Sequence, residues 1–218
     1  VLTCPHPPRG NVNVSYSFTA TISPTSATTP TTYHWWATEQ SGVTETVTNV
    51  FSHMVPFTWI TPGLKTIVVT ATNAGATVTD TYPITINVPL TNVILACPKP
   101  PNLYTTVAAD DTTTVSPTSA TTPTIYHWWA TEQSGVTETV TNAFSHVVPF
   151  TWITSSLKTI VVTATNAGAV VTDTCLISIN VPLTNVIITG PPKGNVNVPH
   201  TFDAAISPTS ATTPTIYH

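Results

Sequence analysis

The stretch Phe57 to Ile86 reads FTWITPGLKTIVVTATNAGATVTDTYPITI and contains three short runs separated by two turns. Apolar residues alternate with polar ones within the runs, as in Ile67, Val69 and Ala71. This period of two is typical of strands with one buried face. The Pro-Gly and Asn-Ala-Gly sequences between the runs are turn signals. The stretch therefore predicts three strands, of which the last two form a hairpin.

The whole module around this stretch is repeated. The string SPTSATTP occurs three times, at Ser23–Pro30, Ser116–Pro123 and Ser207–Pro214, so the period is about 93 residues. The first two copies nearly coincide from YHWWATEQ to INVPLTNV, and the third stops at Tyr217-His218. We predict one repeat at 1–92, a second at 93–185 and the start of a third at 186–218. We expect the chain to be a window from a longer repetitive polypeptide.

Composition favours strands throughout the module. Hydrophobic residues make up 41% of the chain, charged residues only 6%, and there are 21 prolines. Thr, Val, Ile and aromatic residues suit a pleated surface, and no helical period is visible. A module of about 93 residues is long enough for a small sandwich. The sequence therefore predicts an all-β fold in which each complete repeat forms a seven-stranded sandwich.

Charge and side-chain chemistry exclude several functions. A net charge of −4 with five Lys and Arg gives no basic patch for nucleic acid, and no apolar run is long enough to insert into a membrane. The acidic residues are scattered, so no catalytic constellation is visible and no enzyme activity is predicted. His34 and His53 without a third ligand are a weak metal signal. We expect no cofactor and no metal site.

The stretch from Phe57 to Ile86 resembles the carboxy-terminal half of PKD-like and bacterial immunoglobulin-like repeats. The similarity lies in the aromatic strand, the Pro-Gly turn, the strand ending in Thr-Asn-Ala-Gly and the final alternating strand. The chain departs from typical PKD domains at Trp35 to Gln40, where those domains carry an aromatic-Asp-Phe-Gly-Asp-Gly loop. The resemblance implies an array of tandem seven-stranded immunoglobulin-like (PKD-like) β-sandwiches in an extracellular or cell-surface protein, used as a spacer or an adhesive stalk.

Alternation places His34 and Trp36 on the outer face, opposite the core-facing Trp35. The second copy repeats this arrangement at His127 and Trp129. A large exposed aromatic at the same place in each copy indicates a contact surface. Packing against a partner, stacking on sugar, and coverage by the adjoining module remain open.

The three cysteines are Cys4, Cys97 and Cys175. Cys97 opens the second copy and Cys175 replaces Tyr82 on an inward position of its last strand. A Cys97–Cys175 disulfide would close a loop of roughly 78 residues and stabilise the fold by about 4 kcal/mol. Cys4 would then be left as a free thiol or an intermolecular partner. The alternative is that all three are small buried thiols.

The second copy contains a local conflict. Alignment on SPTSATTP puts Asp111 where the first copy has the core-facing Phe18. Burying an unpaired carboxylate is costly. We expect a register shift of this strand; an outward bend of Asp110 and Asp111, or a bound ligand, are the alternatives.

The SPTSATTP loops have the Ser-, Thr- and Pro-rich composition of O-glycosylated segments. Unmodified threonine in ordinary strands explains the composition equally well. The candidate acceptors are Thr25, Ser26, Thr28, Thr29, Thr118, Ser119, Thr121 and Thr122.

These features predict a structural extracellular repeat protein that builds a microbial surface filament, fibre, sheath or stalk from copies of the same chain. The edge strands predicted at Val43–Thr48 and Val136–Thr141 contain no Lys and one Glu each, so they are weakly protected against pairing with a neighbour. Two alternatives are a multivalent adhesin that binds glycans and an accessory array of a secreted hydrolase.

Overall fold

The computed structural model describes residues 2–3, 8–41, 44–97, 102–135 and 137–218. All regular elements in these ranges are strands, which confirms the all-β prediction. In chain order they are β1 Leu2–Thr3, β2 Arg9–Asn11, β3 Ser15–Thr21, β4 Thr31–Ala37, β5 Thr44–Thr48, β6 Ser52–Thr58, β7 Gly63–Thr72, β8 Thr77–Asn87, β9 Asn92–Ala96, β10 Asn102–Tyr104, β11 Ala108–Ser116, β12 Thr124–Ala130, β13 Thr137–Thr141, β14 Ser145–Thr151, β15 Ser156–Thr165, β16 Val170–Asn180, β17 Asn185–Thr189 and β18 Asp203–Ser207.

The chain divides into two compact units. Unit 1 comprises Val1–Thr91 together with two loops of the second copy, Ser116–Thr124 and Thr165–Val170. Unit 2 comprises Asn92–Val115, Ile125–Ala164 and Val171–His218. The repeat boundaries near residues 92 and 185 stay predictions.

Unit 1 contains a three-stranded sheet, β1-β3-β6, and a five-stranded sheet, β2-β8-β7-β4-β5. The predicted hairpin is present, because β7 pairs antiparallel with β8 from Gly63↔Ile86 to Thr72↔Thr77. Strand β6 belongs to the other sheet, so the Pro-Gly turn connects the two layers. Alternation predicts seven strands, and the structure adds β2, which pairs in parallel with β8. At three residues, β2 is too short to show a period.

Aromatic side chains fill the space between the two sheets of unit 1. Phe18 on β3 lies 5.9 Å from Phe57 and 6.2 Å from Trp59 between ring centroids. Ile67, Val69, Ala71, Ile84 and Ile86 are buried, as their alternation predicts. Gly10 lies directly against Tyr16, since a Cβ at this position would come within 2.5 Å of the Tyr16 ring.

Two indoles and one ammonium group buried in this core have partners. The indole N–H of Trp35 donates to Nδ1 of His53 at 2.9 Å, and that of Trp59 donates to the Thr38 carbonyl at 2.8 Å. Lys65 is 2% exposed, and its ammonium lies 2.6 Å from the Glu39 carboxylate. Hydrogen bonds from Lys65 and then from Thr61 lower the pKa of Glu39. Buried indoles and ammonium groups need such partners.

Unit 2 repeats this arrangement with sheets β14-β11-β9 and β10-β16-β15-β12-β13, and adds the antiparallel pair β17-β18. Tyr126, Trp128, Phe150, Trp152 and Ile160 are buried in its core. A Cys97–Cys175 disulfide, with 5.9 Å between the Cα atoms, links the segment after β9 to β16. Cys4 lies outside the described residues.

The expected register shift at Asp111 was wrong. Asp111 pairs with Val148 in unit 2, as Phe18 pairs with Val55 in unit 1. The carboxylate is therefore fully buried, and both oxygens lack a hydrogen-bond partner among the described residues. Burial, and secondarily the neighbouring charge of Asp110, raise the pKa of Asp111 to about 7. The register is kept because a slip by one residue would turn Ala109 and Val115 out of the core.

Candidate functional site: linker segments and outer faces

The outer face of β4 carries the predicted aromatic patch. Trp36 is 45% exposed, whereas Trp35 next to it is fully buried. Nδ1 of His34 lies 3.7 Å from the Glu45 carboxylate on β5. Strand β12 repeats the arrangement: Trp129 is also 45% exposed, and His127 lies 3.5 Å from Glu138.

Strands β5 and β13 lie at the ends of their five-stranded sheets, as expected of edge strands. Their outer faces present Val47, which is 60% exposed, and Val140, which is 58% exposed. Val43 and Val136, the predicted starts of these edges, lie outside the described residues. The edges therefore combine exposed valines with backbone groups available for pairing.

The two histidines considered for a metal do not meet. His53 stacks on Tyr33 at 5.4 Å between ring centroids and accepts from Trp35, while His34 lies on the outer face. Across the described ranges, no three His, Cys, Asp or Glu side chains form a group that could hold a metal ion. The described part of the chain also has no helix long and apolar enough to cross a membrane.

The three SPTSATTP loops share one conformation, with two cis X-Pro bonds in each copy. All four candidate glycosylation residues of the first loop, Thr25, Ser26, Thr28 and Thr29, are exposed. In the second loop Thr118, Ser119 and Thr122 are exposed, but Thr121 is half-buried and its hydroxyl accepts a hydrogen bond. The Thr121 hydroxyl is thus already engaged in the fold.

The partner of Thr121 is the linker segment, defined here as Val88–Thr91, which lies with it in unit 1. The Val88 N–H donates to Oγ1 of Thr121 at 2.7 Å, and the Thr121 N–H donates to the Val88 carbonyl at 2.9 Å. The Thr91 N–H donates to the Ser116 carbonyl at 2.9 Å. Leu90, between them, is 3% exposed. The linker segment is therefore fastened by backbone hydrogen bonds and one buried side chain.

Asn166 completes this contact. Its Oδ1 accepts from the N–H groups of Gly168 and Ala169 at 2.9 Å and so fixes its own turn. Its Nδ2 donates to the Thr121 carbonyl at 2.9 Å and to the Val88 carbonyl at 3.0 Å. The amide thus uses both oxygen lone pairs and both N–H bonds. A single Asn joins the turn, the loop and the linker segment.

Gly168 allows the linker segment to approach closely. A Cβ on Gly168 would lie 2.9 Å from Cα of Pro89, a contact that real side chains do not make. The Gly168 carbonyl also accepts from Nδ2 of Asn11 at 3.0 Å. The Asn-Ala-Gly turn therefore needs its glycine for packing against proline.

The hydrogen bonds of this contact recur at the next linker segment, Val181–Thr184, within unit 2, although Leu183 is 50% exposed where Leu90 is buried. The Val181 N–H donates to Oγ1 of Thr212 at 2.7 Å, and the Thr212 N–H donates to the Val181 carbonyl at 3.0 Å. The Thr184 N–H donates to the Ser207 carbonyl at 2.8 Å. Sequence reasoning identified these residues only as linkers and loops. The one signal available was that VPLTN and SPTSATTP recur together.

Neither family models nor curated proteins match the chain. Several solved structures are similar to the chain. The ICAM-5 D1–D4 ectodomain fragment is similar at a TM-score of 0.57 and 11% identity, over 95% of this chain and 75% of that chain. The three-Ig structure of titin domains I67–I69, in an E-to-A variant, is similar at 0.50 and 12%, over 90% and 72%. The chain therefore has an immunoglobulin-like β-sandwich fold.

Proposed function

We propose that the protein is a structural extracellular repeat protein, an array of PKD-like sandwiches that builds a surface filament, fibre, sheath or stalk. The recurring linker contact carries the proposal. Val88 with Thr121 and Val181 with Thr212 make the same two hydrogen bonds, with donor–acceptor distances of 2.7 Å and 2.9–3.0 Å. A linker that makes the same hydrogen bonds at successive repeats is suited to an extended array of identical units.

The outer surfaces support self-association as the mode of assembly. Val47 and Val140 are exposed on edge strands that contain no Lys and one Glu each, Glu45 and Glu138. An edge without lysine side chains is weakly protected against pairing with a neighbouring strand. Contacts between identical units that do not close into a ring generate filaments.

Electron microscopy of native material tests this function. Regular fibres with an axial repeat that matches the sequence period support it, and isolated single chains at high concentration contradict it. Lysine substitution at the edge strands, Val47→Lys with Val140→Lys, should abolish lateral contacts. The matched control is Ile60→Lys with Ile153→Lys, since these two residues are 79% and 82% exposed but lie outside the edge strands. Fibres unaffected by the edge substitutions would exclude the lateral contact.

A glycan-binding adhesin is the second candidate, and the repeated exposed indole is the observation that favours it. Trp36 and Trp129 each present nearly half of their surface beside an imidazole. Aromatic faces are common stacking platforms, and two weak sites on one chain gain affinity through multivalency. A glycan array with the wild type and the Trp36→Ala, Trp129→Ala double variant decides this. Binding that is absent, or equal in both, contradicts the adhesin.

A further inference from the structure

We infer that the first repeat carries a receptor surface for the Val-Pro-Leu-Thr segment of another repeat. The surface consists of the first SPTSATTP loop and the Asn73–Ala76 turn. The inference deepens the proposed function, on which its biological role rests, because it names the segment and the surface that would join one repeat to the next.

The receptor surface has the same residues as the surfaces that hold the linker segments. Thr28 occupies the position of Thr121 and Thr212 in its copy of SPTSATTP. Asn73 and Gly75 occupy the positions of Asn166 and Gly168 in the Asn-Ala-Gly turn. The two other surfaces bind Val88–Thr91 and Val181–Thr184 by the same hydrogen bonds. Identical residues in the same fold should bind the same backbone segment.

The turn in the first repeat is already in its binding conformation. Oδ1 of Asn73 accepts from the N–H groups of Gly75 and Ala76 at 2.9 Å, as Asn166 does in its own turn. Nδ2 of Asn73 donates to the Thr28 carbonyl at 2.8 Å. In the described part of the chain this is its one acceptor, whereas Nδ2 of Asn166 has a second one in the Val88 carbonyl. The second N–H of Asn73 is thus available for an incoming carbonyl.

Exposure differs between the two copies at the positions where a segment would lie. Ala120 is 5% exposed and Asn166 is 9% exposed under the linker segment. Their equivalents in the first copy, Ala27 and Asn73, are only partly buried. A surface cavity of about 140 Å³ opens between the loop and the turn, and its lining is mainly apolar but includes Ser23, Thr31 and Asn73. This mainly apolar cavity can take a leucine side chain such as Leu90, which is buried at the occupied surface.

Glycine geometry supplies a selective test. A Cβ on Gly75 would meet only Oδ1 of Asn73, at 3.7 Å, which is an ordinary contact. At Gly168, under its linker segment, the same atom would collide with Pro89 at 2.9 Å. Gly75→Ala should therefore leave the fold of the first repeat intact and block only the incoming proline. Thr28→Val is a second variant, because it removes the hydroxyl that accepts the valine N–H.

The experiment titrates the isotope-labelled full chain with a synthetic peptide of the sequence Asn87–Val93, NVPLTNV, and follows amide chemical shifts. We expect saturable shifts at Thr28 and Asn73–Ala76, with affinity reduced about tenfold or more in Gly75→Ala and in Thr28→Val. Thr25→Val, in the same loop but away from the contact, should bind as the wild type does. The surfaces around Thr121 and Thr212 should show no chemical shift changes, because their own linker segments are present at a high effective concentration.

Several outcomes overturn the inference. These are no saturable shift at millimolar peptide, equal binding by a scrambled peptide, or Gly75→Ala binding as tightly as the wild type while its spectrum shows a folded first repeat. The result is independent of the filament test, since lateral contacts could build fibres without this receptor and the receptor could bind peptide in a chain that builds none.

Discussion

The fully buried carboxyl of Asp111 should contribute more to the stability of unit 2 at about pH 4 than at neutral pH. Its pKa is about 7 in the folded chain against an ordinary value of 3.8. As the pH rises from about 4 to about 7, the unfolded chain releases the proton while the folded chain keeps it. The folded state binds more protons in this window, so the free energy of unfolding falls with pH. A difference of about three pKa units corresponds to a loss of about 4 kcal/mol.

The assay is urea unfolding of the full chain between pH 4 and pH 8. Unfolding is followed by the indole N–H resonance in NMR spectra, that of Trp152 for unit 2 and that of Trp59 for unit 1. Asp111→Asn replaces the titrating group by a neutral one of the same shape, so it should remove most of the fall in stability. Asp110→Asn is the matched control: this neighbour is exposed and only adds to the shift, so most of the fall should remain. An Asp111→Asn chain with the same pH profile as the wild type would refute the reasoning.

Three further predictions concern stability. Reducing the Cys97–Cys175 disulfide, which spans 78 residues, should lower the unfolding free energy of unit 2 by about 4 kcal/mol and leave unit 1 unchanged in urea unfolding; equal losses would contradict it. His53→Phe should cost unit 1 about 1–3 kcal/mol, because the buried Trp35 indole loses its acceptor, and an unchanged melting temperature would count against this. The pKa of Glu39 is lowered by its Lys65 partner, so the stability it contributes is present above its ordinary value of 4.5 and lost as the pH falls. Glu39→Gln should flatten this acid loss, and melting curves from pH 2 to pH 6 that match the wild type would exclude it.

Residue alternation was sufficient to predict the longer strands of unit 1 and their buried faces, but not the three-residue β2. Ile67, Val69 and Ala71 face the core because successive side chains of any strand point to opposite sides. The same alternation buries the Asp111 side chain, which pairs with Val148, although burying this carboxylate is unfavourable. The expected register shift failed because one buried carboxylate costs less than exposing the other apolar residues of β11.

The contact at the linker segments depends on tertiary structure. Val88 meets Thr121 and Asn166, which are 33 and 78 residues away in the chain. Alternation describes only neighbours along one strand, so it carries no information on these pairings. The assignment of β6 and β7 to different sheets has the same origin, since a Pro-Gly turn permits either a hairpin or a crossing between layers. The sequence by itself thus determined the strands, the repeat and the cysteine pair that could join, while only tertiary packing decided which backbone groups of distant segments meet.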